Sequence, residues 1–134
     1  MPQYLLIGLC EPLDEDGQAA FDEWFVDQHI EDTTHCPNFV KGRVYKLAGP
    51  HLDIETPSKY LSVYEVEADS YEEAERVLNE WQADADAWPG RRHHLQTMEK
   101  HGGNIPMGIR GSGWFELLRS YDGPGSGSAQ EEAP

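Results

Sequence analysis

Two strand-patterned stretches stand back to back between two amphipathic helical ones. That order constrains this chain more than any other feature. Residues 39–47 alternate, with Phe39, Lys41, Arg43, Tyr45 and Leu47 on one side and Val40, Gly42, Val44 and Lys46 on the other. Residues 59–67 alternate too, with Tyr60, Ser62, Tyr64 and Val66 opposed to Leu61, Val63 and Glu65. The stretch from Ala48 to Ser58 between them holds two prolines and a glycine and has neither period.

The helical stretches flank this pair. The first is expected from about Gln18 to about Asp32, with Asp14 or Asp16 as its cap and Pro37 beyond its end. At about 100° per residue, Phe21, Trp24, Phe25, Gln28, His29 and Asp32 share one broad face. Its early half is aromatic and its late half is polar. The second opens on Ser70 and Glu73, a capping box. Its stripe is Ala74, Val77, Leu78, Trp81, Ala85 and Trp88, and Pro89-Gly90 is expected to stop it.

Outer strands complete the pattern. Gln3 to Leu9 is continuously apolar and reads as a central strand buried on both faces. Gly113 to Tyr121 reads as the last strand, with Trp114 at the dimer interface. Arg91 to Arg110 is the least legible part, with a short helix expected over Arg91 to Lys100. The order β-α-β-β-α-β is the split βαβ, or ferredoxin-like, α+β arrangement. It places two helices on one face of a four-stranded antiparallel sheet. The other face keeps its apolar residues, and a second copy of the chain is the expected cover. Residues 1–121 form one domain, and 122–134 read as a disordered polar tail.

The sequence resembles a family from Trp24 to Tyr45. Trp24, His29, Pro37-Asn38-Phe39 and Arg43-Val44-Tyr45 are similar to the signature of EthD-like proteins of the dimeric α/β-barrel superfamily. Asn38 stands where that family usually has glycine, and Asn also tolerates a positive φ. The resemblance implies a homodimer whose sheets meet face to face. The superfamily spans cyclases, isomerases, cofactor-free monooxygenases, haem-degrading enzymes and stress proteins, so fold does not choose the activity.

The residues suggest a cofactor-independent enzyme acting on a small apolar or aromatic carbonyl or phenolic metabolite, of cyclase, isomerase or lyase type. His29 is the expected acid or base. Asp32 would orient it, and Tyr45 or Tyr64 would donate to a developing oxyanion. Trp24, Phe25 and Gln28 would line the pocket, and Arg43 would hold a substrate carboxylate. The first alternative is a small-molecule-binding or stress-related dimer without catalysis. The second is a haem-binding protein or monooxygenase.

No metal is expected. His29, His35, His93, His94 and His101 form neither H-x-x-x-H nor H-E-x-x-H. The formal net charge of −15 argues against nucleic acid or an anionic membrane as partner. With no signal-peptide pattern and no long apolar run, a cytoplasmic location is expected. Cys10 and Cys36 match no metal or redox spacing and are expected to be reduced.

Overall fold

The computed structural model describes residues 1–84, 96, 99–100 and 107–125. Strand β1 (Gln3–Glu11) is followed by a 3-10 turn (Glu15–Gly17) and then by one long helix in three parts. These are α1 (Gln18–Phe21), a π-helical segment (Asp22–His29) and α2 (Ile30–Thr33). Strands β2 (Phe39–Lys46) and β3 (Tyr60–Glu67), helix α3 (Tyr71–Ala83) and strand β4 (Gly108–Glu116) complete the order.

The four strands form one antiparallel sheet in the order β2-β3-β1-β4, with β1 central. The register fixes both faces. Tyr4, Leu6, Gly8 and Cys10 oppose Val66, Tyr64, Ser62 and Tyr60. This set faces the helices and includes the buried Tyr4, Cys10, Tyr60, Tyr64 and Val66. Phe21, Trp24, Phe25 and Ile30 close the core from the long helix, and Ala74 from α3. Each fully buried aromatic contributes about 1.5–3 kcal/mol.

Several expectations change. Within the single chain Leu5, Ile7 and Leu9 of β1 are half-buried, because the helices cover one sheet face alone. A bulge between Phe39 and Lys41 turns Phe39 to the helix side, opposite Val66. There it packs with Tyr64 and Trp114 rather than sharing a face with Arg43 and Tyr45. Strand β4 pairs over Gly108–Glu116, not from Gly113 to Tyr121, since Glu11 and Gly108 mark where β1 finds its partner. Trp114 opposes Leu6 on the helix side and donates to Glu75 Oε1 at 2.6 Å. It therefore belongs to the core layer and not to a sheet-face interface.

Caps follow the sequence in part. Ser70 Oγ accepts from Glu73 N at 3.1 Å, as the capping box predicts. Asp84 is extended and ends α3 before Pro89, while Ala85, Trp88 and Pro89-Gly90 lie outside the described residues. Neither Asp14 nor Asp16 caps the long helix. Asp14 lends its carbonyl to a 3-10 turn, and Gly17 stands at the helix start. Gln96, Glu99 and Lys100 are helical, but the rest of Arg91 to Lys100 and His101 lie outside the described residues, as does 126–134. Among the described residues no helix is long and apolar enough to cross a membrane.

Candidate functional site

The π-helical segment sets the site. Its backbone pairs residues five apart, as in Ile30 N–H to Phe25 O. Five residues of an α-helix overshoot a full turn by about 140°. In the wider π turn the overshoot is much smaller, and the two side chains come onto one side of the helix. Trp24 and His29 therefore stack, with ring centroids 4.4 Å apart and planes at 21°. Phe25 lies 5.9 Å from the same imidazole at 25°. Trp24 and Phe25 are each 2 % exposed, and His29 is half-buried with its Nδ1 inside the protein. Charged Glu23, Asp27 and Glu31 occupy the outward side at intervals of four.

Asp32 is buried, and both its oxygens accept from Gln28 Nε2, at 2.9 and 3.0 Å. The carboxylate expected to orient His29 thus holds the amide one turn back. Thr33 Oγ1 donates to the His29 carbonyl at 2.9 Å and also meets the Tyr64 hydroxyl. Burial holds the Tyr64 phenol far above its ordinary value, and the Thr33 hydrogen bond opposes that shift weakly. Tyr64 therefore stays neutral at every working pH, a hydrogen-bonding group rather than a phenolate.

Close approach at this end depends on Gly42. A Cβ there would stand 2.5 Å from Thr34 Cγ2 and 3.1 Å from the Tyr64 ring. Asn38, at φ 76°, makes the turn that carries the chain from the helix into β2. Asparagine is among the few residues with a side chain that visit this left-handed region routinely.

Arg43 and Tyr45 lie on the opposite sheet face from Tyr64, because they oppose Val63 and Leu61. Arg43 Nη1 meets Glu65 Oε2 at 2.5 Å, and this hydrogen bond holds the guanidinium above its ordinary value. Tyr45 is half-exposed. Around this pair the open face carries Leu5, Ile7, Leu9, Leu61, Val63 and Phe115. Phe115 is 58 % exposed.

The expected site thus divides in two. Trp24, Phe25, Gln28, His29, Asp32 and Tyr64 gather on the helix side, and Arg43 and Tyr45 belong to the open face. Thr33 links the helix end to Tyr64, a role that its place after the amphipathic stripe did not signal. The walls of the clefts beside Phe115, beside Tyr60, beside Leu47 and beside Gly42 do not include His29. Among the described residues no three His, Cys, Asp or Glu side chains gather as a metal site. His35 is exposed, and its Nδ1 lies 3.1 Å from the Glu31 carbonyl. His93, His94 and His101 lie outside the described residues. Cys10 and Cys36 are buried free thiols, both pushed up to about 11 by burial.

No known family matches this chain, and comparison with curated proteins and with solved structures finds no match either.

Proposed function

We propose that the chain works as a homodimer, without a cofactor, on a small apolar or aromatic carbonyl or phenolic metabolite, and that His29 moves the proton. One observation carries this reading: a half-buried imidazole is stacked on Trp24 by a π-helical segment. Such segments are rare and are frequent at functional sites. The buried rings fix the imidazole plane. Proton abstraction beside a carbonyl, leading to cyclisation, isomerisation or elimination, needs little more than a positioned base and a donor for the enolate oxygen. Tyr64, kept neutral by burial, is the hydroxyl on that side; its proton rests on Thr33 Oγ1, which has given its own to the His29 carbonyl, and would have to turn from Thr33 to serve an enolate oxygen.

Dimerisation rests on the open sheet face, with its half-buried aliphatic residues and exposed Phe115. Two such faces packed together would bury β1 on both sides, as its continuous apolar run requires. Arg43 and Tyr45 then serve the interface, consistent with the resemblance to EthD-like proteins.

A second reading is a ligand-binding dimer without catalysis. It is favoured by Asp32, whose two oxygens are both engaged by Gln28.

The test is a thermal-shift screen of aromatic acids, phenols and lactones on wild type and His29→Phe, followed by turnover assays on the hits. Phenylalanine keeps a flat ring beside Trp24 and removes the titratable nitrogen. Loss of turnover with a near-native melting temperature supports acid–base chemistry. Turnover that survives in His29→Phe leaves the binding reading. Sedimentation of wild type and Phe115→Glu tests the dimer: a dimer that becomes monomeric supports it, and a wild-type monomer overturns it.

A further inference from the structure

A second group of side chains gathers at the other end of the long helix, in a cleft of about 440 Å³. Gln18, Asp22 and Val26 come from the helix, Val44, Tyr45 and Lys46 from β2, and Tyr60 from β3, with Tyr45 reaching the rim from the edge of β2. The register explains the meeting. Val44 and Lys46 oppose Ser62 and Tyr60, so all four turn toward the helices.

The hydrogen bonds in this cleft leave two donors of its lining unassigned. Gln18 Nε2 donates to Asp22 Oδ1 at 2.9 Å and to Tyr60 Oη at 3.1 Å. An amide nitrogen has two hydrogens, so both bonds form together. Tyr60 is only 7 % exposed, and its oxygen is an acceptor here. Among the described residues nothing accepts the Tyr60 proton, and no carboxylate lies within 4.0 Å of the Lys46 ammonium. Arg43, Arg76, Lys100 and Arg110 hold ion pairs in this acidic chain, and among the described residues Lys41, Lys59 and Arg119 share with Lys46 the lack of one; Lys46 is the one of these four that lines this cleft.

We infer that this cleft binds a small apolar-bodied molecule bearing both a carboxylate and a hydroxyl. The carboxylate accepts from Lys46 and from the Tyr60 hydroxyl. The ligand hydroxyl donates to Asp22, whose charge would otherwise oppose an anion. Val26 and Val44 supply the apolar wall. A cavity of about 150 Å³ holds one benzene ring, so the cleft has ample room for a ring with two polar substituents. The site makes no use of His29 and stands apart from the proposed acid–base chemistry.

The experiment is a titration of the full chain with 4-hydroxybenzoate, followed by NMR or calorimetry, with circular dichroism of each variant. Tyr60→Phe keeps the ring packed on Phe21, and Lys46→Met changes a side chain at a strand end. Saturable binding to wild type and to His29→Phe is expected, about tenfold weaker in Lys46→Met and in Tyr60→Phe. Benzoate and phenol, each lacking one polar group, are expected to bind more weakly than 4-hydroxybenzoate. No saturable binding at millimolar concentration overturns the inference, as does affinity unchanged in both cleft variants. Binding lost in His29→Phe but kept in the cleft variants also overturns it, and places the ligand at the imidazole in support of the proposed function.

Discussion

Trp24 and His29 stack with centroids 4.4 Å apart although they are five residues apart in sequence. An α-helix would separate them by about 140°, so the contact exists because Asp22–His29 is π-helical. The wide turn also lets Phe21, Phe25 and Ile30 reach the core from the same side.

His29→Ala is expected to lower stability by about 1–3 kcal/mol, from lost ring contact and a gap beside the buried indole. His29→Phe is expected to stay within about 1 kcal/mol of wild type. Urea unfolding followed by tryptophan emission measures both. Equal losses in the two variants would mean that the imidazole nitrogens, and not the stack, hold the helix.

Gly42→Ala is expected to cost about 1–3 kcal/mol, because its Cβ would stand 2.5 Å from Thr34 Cγ2. Thr34→Ser removes that methyl. The double variant should recover most of the loss in a mutant cycle. A double variant no more stable than Gly42→Ala would place the conflict at the Tyr64 ring instead.

Asn38 sits at φ 76°. Asn38→Ala is expected to destabilise the turn by about 1–2 kcal/mol, the cost of a left-handed Cβ. Asn38→Gly is expected to be neutral or slightly stabilising. Equilibrium unfolding of the three proteins checks the ordering, and an alanine variant as stable as wild type contradicts it.

Burial raises both cysteine thiols from 9.0 to about 11. The folded state therefore keeps these protons longer than the unfolded chain does. Their contribution is complete below about pH 9 and is lost as pH rises toward about 11. Cys10→Ser with Cys36→Ser should flatten the decline of stability over that window. In native wild type both thiols should react with a disulfide reagent more slowly than in urea.

The pattern of the chain determined the element order, and with it the four-stranded antiparallel sheet under two helices. It also determined the Ser70 cap and the Tyr60-Ser62-Tyr64-Val66 face, because local hydrogen bonding and period-two alternation are written in neighbouring residues. Tertiary structure decided the rest. The bulge after Phe39 depends on where β3 offers partners, so Phe39 changed faces. The extent of β4 depends on β1, so the strand moved upstream of Gly113. The π segment places Trp24 and Phe25 in the core beside Phe21 and Ile30, an arrangement that a count at 100° per residue does not contain. The same dependence parted Arg43 and Tyr45 from His29 and brought Gln18 to Tyr60, 42 residues away. Periodicity is a local property of the backbone. Which side chains meet is set by packing between segments distant in sequence.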